Sequence, residues 1–307
     1  MQNLRVVSPA DRTDEVLRVL DETPGVAHVV VLRGAAVRPE GDVVDAVVVR
    51  ECANQVLDGL RSLRLTHDGA ITMQPVETVL SDAARTAEQD APGDPDDSIV
   101  WDELVGRTRE ESSLTLTFVA FLTIALLLAA IGVVTDSPVT IVGAMVVGPE
   151  FGPLAALSVG LVRRQRSLIR RSLLALLVGF PTAMVITALG AFGAEALGWI
   201  RPEAMDDLQQ VDFIYQVGPF SLVVALLAGA AGMLALVSAK SAALVGVFIS
   251  VTTVPAAGFA VVAATVGSWR IAALSAGQLG INLLGIVVAA TFVLSLHRRS
   301  ARAQADR

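Results

Sequence analysis

Glu150 sits in the run Val142-Gly-Ala-Met-Val-Val-Gly-Pro-Glu-Phe-Gly-Pro153, between apolar stretches long enough to cross a bilayer. A charged group at the centre of a spanning helix costs about 2.5–3.5 kcal/mol on insertion scales, so it persists where something offsets it. Proline removes a backbone donor and clashes with the preceding turn, so Gly148, Pro149, Gly152 and Pro153 predict a broken helix at this acid. In hydrocarbon, the freed backbone groups must be met by protein or by a water-filled cavity. An acid at such a break suits a cation or proton site, or a gate; the bland alternative is a carboxylate snorkelling to the inner face. Thr252 and Thr253 offer hydroxyls beside a second break at Pro255, although threonines also bond their own helix. Asn282 is an amide within an apolar run, fit for a site or for gluing helices together. Asp136 stands in a turn before Pro138, where it can bind an ion or cap the next helix. Lys240 is the one lysine of the chain, a compact ammonium able to pair with an acid or an anionic substrate, or merely to obey the positive-inside preference. Glu150, Thr252, Thr253, Asn282, Asp136 and Lys240 are the candidate substrate- or ion-binding residues.

Enzyme chemistry is not expected. The apolar half holds His297 as its only histidine and has no cysteine. Its serines have no evident base, and no paired acids converge with metal-ligand spacing. No glycine loop ending in Lys-Ser or Lys-Thr is present to cradle a nucleotide phosphate. His28, His67 and Cys52 match no ligand pattern, so neither metal nor cofactor is expected. One cysteine also excludes an intrachain disulfide framework.

The elements that must position these residues divide by composition. Mean hydropathy is +0.64, and the apolar residues cluster after residue 113. Residues 1–112 carry 22 acids against 11 bases, whereas residues 113–307 carry 8 against 12. An acidic soluble domain joined to a basic-flanked membrane domain is the result, with no basic face for nucleic acid. Residues 1–80 predict strands at Leu4–Val7, Val26–Leu32, Val43–Val49 and Ala70–Val76, with a turn region at Gly34–Gly41. Helices are expected at Asp11–Leu20, capped by Ser8 or Asp11, and at Ala53–Leu63. That βαββαβ order is the ferredoxin-like arrangement, which hosts sensors, carriers and dimerisation units alike. Residues 81–98 read as an acidic linker, rich in Ala, Asp and Glu and ending in Pro92-Gly-Asp-Pro-Asp-Asp97. Residues 99–112 suggest an amphipathic helix, either interfacial with Trp101 at headgroup depth or packed on the soluble domain.

Six spans are expected within residues 113–300: Leu114–Val134, Val139–Val162, Ser172–Leu197, Pro219–Ser238, Ala242–Val266 and Leu279–Leu296. A short tail, 301–307, follows. Arg163, Arg164, Arg166, Arg170 and Arg171 fill one link, and Arg298, Arg299 and Arg302 follow the last span. Both clusters belong inside by the positive-inside rule. This predicts a multi-pass protein of the inner (plasma) membrane with both termini cytoplasmic. Glu195–Asp212, with five acids against Arg201, then falls outside, with Trp199, Tyr215 and Trp269 near that interface. A shift of 103 residues aligns Ala125–Gly143 with Ala228–Gly246 and sets Glu150 opposite Thr253. Each copy has a span, a short turn and a proline-interrupted span, so the expected membrane fold is an inverted 3+3 repeat with broken second and fifth spans.

Trp101-Asp-Glu-Leu-Val105, the Asp136-Ser-Pro138 turn and above all Val142–Pro153 resemble the prokaryotic hydrophobic proteins named for domain of unknown function 389. The resemblance extends over about residues 100–297, and Pro255 and Asn282 fit it. It implies a multi-spanning membrane domain and no agreed activity. The function expected is a secondary transporter or channel for an unidentified small solute or ion, embedded in lipid and forming a homo-oligomer, with the N-terminal domain regulating or dimerising. The rival is a membrane-anchored sensor or scaffold whose N-terminal domain binds a ligand or partner.

Overall fold

A computed structural model describes residues 1–76, 78–91, 98–199, 218–238 and 252–305. Two compact units emerge: Met1–Leu104 with Arg299–Arg307, and Val105–Arg298.

In the first unit, β1 (Gln2–Ser8), β2 (Val26–Val37), β3 (Glu40–Val48) and β4 (Ala70–Pro75) form an antiparallel sheet in the order β2-β3-β1-β4. Alternation along β1 turns Leu4 and Val6 inward, where they meet Val16 and Leu20 of α1 (Thr13–Asp21) and Val56 and Leu60 of α2 (Ala53–Ser62). The short helix α3 (Leu65–Asp68) buries Leu65 in the same core. Neither Ser8 nor Asp11 caps α1, whose N-cap is Arg12. The expected turn at Gly34–Gly41 is mostly strand, because β2 and β3 pair out to Val37 and Glu40.

Two further expectations change. The stretch 81–98 is not a linker throughout: α4 (Asp82–Asp90) begins at Ser81, whose hydroxyl accepts from Ala84 N–H at 3.4 Å. Ala84 and Ala87 are buried, and Ala87 joins the sheet core. The alanines that read as part of an acidic linker are the small apolar face that lets this helix pack. The second is a choice between the two readings of residues 99–112: the start of α5 (Trp101–Glu111) packs on the first unit. Trp101 is 9 % exposed, and Val100 packs with Ala53 and Leu57. Asn54 donates to the Ile99 carbonyl at 2.6 Å and accepts from Trp101 N–H at 3.2 Å, so it serves the orphan backbone donor at the helix start. Arg61 pairs with Asp102 at 2.5 Å, and Gln2 donates to Glu103 at 3.2 Å.

The second unit is helical: α6 (Leu116–Val134), α7 (Pro138–Val147), α8 (Phe151–Arg163), α9 (Arg166–Ala196), α10 (Pro219–Val237), α11 (Thr253–Thr265) and α12 (Trp269–Ala305). Among the described residues, α6, α9, α10 and Trp269–Arg299 of α12 are long and apolar enough to cross a membrane. The α7–α8 pair passes the same test together and is bent by 50°. The protein thus has four or five apolar helices capable of spanning, plus the small N-terminal sheet domain. The last span begins at Trp269 rather than Leu279, because Ser275 and Gln278 face inward and do not interrupt the helix. Leu177, Leu189, Leu227, Leu284 and Phe292 are exposed, as a lipid-facing surface requires. Small residues bring the helices together: Gly132 lies against Ile141, Gly179 against Phe118, Gly258 against Ala129, and Gly229 against the Ile286 backbone.

Candidate functional site

The break lies between α7 and α8. Gly148 ends α7 with extended backbone, as a residue before proline prefers, and Pro149 has no N–H to continue the ladder. Glu150 is the N-cap residue of α8. Only Gly148, Pro149 and Glu150 therefore make the interruption. Gly152 and Pro153, expected to be part of it, lie in the first turn of α8, where a missing donor has no partner to lose. Gly152 is small because the Glu111 backbone comes against it. Pro255 likewise sits in the first turn of α11.

At about 1.5 Å per residue, α7, α8 and α11 are each too short to cross roughly 30 Å of hydrocarbon alone. Both α8 and α11 are enclosed by their neighbours. Thr253–Ala263 of α11 are buried, and so is nearly all of α8. The beginnings of these two helices meet. Thr253 Oγ1 donates to Glu150 Oε1 at 2.5 Å, across the 103-residue separation at which the sequence aligns with itself. Glu150 is 6 % exposed, yet Oε2 is buried without a hydrogen-bond partner. It folds back against Gly148, where an added Cβ would strike Oε2 and Val254. Helix starts carry partial positive charge, so the carboxylate lies where two ends favour an acidic group.

A second hydrogen-bonded set adjoins the first. Asn282 Nδ2 donates to Thr252 Oγ1 at 2.8 Å, and Gln278 Nε2 donates to Asn282 Oδ1 at 3.0 Å. Gln278 Oε1 and Ser275 Oγ are buried without partners. The structure thus gathers Glu150, Thr252, Thr253 and Asn282 into one region. Asp136 is not with them: it lies in the α6–α7 turn with left-handed φ, one length of α7 (about 15 Å) from the break. Nor is it the cap of α7, since Ser137 accepts from Thr140 N–H. Lys240 falls outside the described residues. Ser275 and Gln278 escape a sequence reading that starts the last span at Leu279, although their spacing with Asn282 is the signal of one helix face.

One arginine of each cluster bonds at one end of this unit. Arg298 donates to the Val162 carbonyl at the end of α8 at 2.7 Å, and Arg171 donates to Ser113 Oγ at 3.1 Å. The hairpin between α8 and α9 seats Gly160 against Ile169 at the same end.

In the first unit, Asp42 is buried and accepts from Gly34 N–H at 2.8 Å, Thr13 Oγ1 at 2.8 Å and Arg33 at 2.9 Å. The Gly34 amide first, then Thr13 and Arg33, hold its carboxyl below the usual carboxylate range. His28 bonds Ser81 at 2.7 Å, and Cys52 is buried in the core, which pushes its thiol upward.

Apolar helices of spanning length, one of them broken around a buried acid, define a polytopic helical membrane protein. Residues 145–288 match the family model described as Domain of unknown function (DUF389), so the resemblance seen in the sequence holds over that stretch. The match takes in the break, α11 and the Gln278–Asn282 pair; Trp101–Val105 and the Asp136 turn lie before it. No curated protein and no solved structure matches the chain.

Proposed function

We propose that this protein is a secondary transporter or channel for a small solute or ion, with its site where the α7–α8 break meets the start of α11. The observation that carries the reading is Glu150: sealed from solvent, bonded by one oxygen to Thr253, and unsatisfied at the other. A buried acceptor without a partner calls for a water, ion or ligand in some state of the protein. Broken helices beside an acid are where many transporters bind cargo.

The same reading takes the membrane unit as six spans in an inverted 3+3 repeat. Ser113 and Arg298 belong to the same end, which requires an even number of crossings, and the segment ending in α11 supplies the sixth. Opposite directions for α8 and α11 follow, with Glu150 and Thr253 at equivalent positions. Clustered arginines at that end support a cytoplasmic side for it, and for both termini, at the plasma (inner) membrane. The sheet order β2-β3-β1-β4 supports a ferredoxin-like N-terminal domain, and regulation or homo-oligomerisation is its proposed task.

Flux of a panel of solutes and ions in proteoliposomes tests the transport reading. Native protein is expected to move at least one member, and Glu150→Gln to abolish that flux without changing thermal unfolding. Close packing at Gly148 and Gly152 favours the rival, an anchored sensor or scaffold. Well-folded protein that moves nothing, while residues 1–80 alone bind a ligand or partner, would decide for the rival.

A further inference from the structure

Three polar side chains line one face of α12. Ser275, Gln278 and Asn282 are spaced by three and four residues, lie within a narrow helical arc, and are each at least 98 % buried. Asn282 continues the line to Thr252, whose neighbour Thr253 donates to Glu150. The line begins about 9 Å from the start of α12, the end opposite Arg298, and runs about 10 Å along the helix. Along it, Ser275 Oγ, Gln278 Oε1 and Glu150 Oε2 are sealed from solvent and unpartnered.

We propose that Ser275, Gln278, Asn282 and Thr252 form a proton path, closed in this structure, that leads to Glu150 from the membrane face opposite the arginine clusters. The proposal rests on reading the break as a conduit and names its coupling ion. Two features select the proton over a metal cation. The unpartnered oxygens are strung along the helix, whereas a metal ion needs several oxygens converging on one point. Among the described residues, Glu150 is also the only buried ionisable group in the region; Glu111, which comes against Gly152, is exposed and pairs with Arg107. α6, α7, α10, α11 and residues 151–162 of α8 carry none; α9 carries none between Arg171 and Glu195, nor α12 between Arg270 and His297. When the path opens, water enters the line and hydrogen-bonds the unpartnered oxygens. An excess proton from the bulk phase, carried along that water as hydronium, passes to Glu150 Oε2 and leaves water behind, giving a neutral carboxyl whose Oε1 still accepts from Thr253. Release returns the proton to water.

Infrared spectroscopy of the full chain in lipid vesicles reads this step. The protonated-carboxyl band is identified by its loss in Glu150→Gln, and its shift in D2O gives the exchange rate. Gln278→Leu and Asn282→Leu are expected to keep the band and slow its exchange about tenfold, the effect of losing roughly one hydrogen-bonded step. The lipid-facing Leu284→Ala should leave the rate unchanged. Native exchange rates in both polar variants, or no band removed by Glu150→Gln at any pH the protein tolerates, would overturn the proposal. Should the leucine variants fail to fold, Ser275→Cys and Gln278→Cys replace them, since the native Cys52 is buried. Both should react with a membrane-impermeant thiol reagent from the face opposite the arginines alone; reaction from neither face, or equally from both, counts against the path. Slowed exchange in a protein that moves no cargo would defeat the conduit reading and leave the path. Cargo flux with unaltered exchange would do the reverse.

Discussion

Gly148 shows how a single missing side chain holds the carboxylate in place. A Cβ there would strike Glu150 Oε2 and Val254, and the first of these is the free end of a flexible side chain. The acid can swing away at little cost to the fold, but then it leaves Thr253. Gly148→Ala, which must also displace the buried Val254, is therefore expected to fold with some loss of stability and to lose flux as Glu150→Gln does, although the acid is still present. Thermal unfolding and proteoliposome flux, measured side by side, check this; native flux in Gly148→Ala would mean that the Thr253 bond is dispensable. The same region contains Thr253 and Asn282 because each bonds a side chain on another segment, Asn282 in addition to Gln278 of its own helix. Neither preference is legible from residue type alone.

Among the helices, glycine serves two purposes that predict opposite signs. Gly229 of α10 faces the backbone of Ile286, with a Cβ meeting its carbonyl oxygen at 2.6 Å and its Cα at 2.7 Å. Main chain cannot yield as a side-chain tip can, so Gly229→Ala should force α10 from α12 and cost about 1–3 kcal/mol. Gly143 of α7 is exposed with nothing near its Cβ position, and Gly143→Ala should stabilise by about 0.5–1 kcal/mol through reduced backbone freedom. Unfolding in detergent checks both, and equal shifts would contradict the assigned packing. Apolar run lengths and proline positions were enough to place α6, α10 and the α7–α8 break to within a few residues. They did not place the start of α12, because a buried polar face looks like a boundary when only hydrophobicity is summed. Composition also concealed α4, whose alanines become a packing face only against β2 and the sheet core.

At the scale of the whole protein, Asp42 gives the N-terminal domain a stability that depends on pH. Asp42 has a folded-state pKa below its unfolded value of about 3.9. Its contribution is complete above the unfolded value and is lost as pH falls through the lowered folded one. Asp42→Asn should therefore unfold at a lower temperature than the native chain at neutral pH, with the gap closing as Asp42 becomes protonated. Thermal unfolding of the full chain as a function of pH measures it. A gap that stays constant into acid would show that the charge of Asp42 contributes nothing to stability.

Residue types and their spacing sufficed for a chain of two characters, for an N-terminal αβ domain and apolar spanning helices, and for a break at Gly148–Glu150, because hydrophobic period, proline and charge act within one segment. The partners of Glu150, the burial of Trp101 on its own unit, the exclusion of Asp136 from the site and the inclusion of Ser275 and Gln278 were decided by tertiary structure alone. Each depends on which surfaces of distant segments meet, and nothing within a single segment encodes that choice.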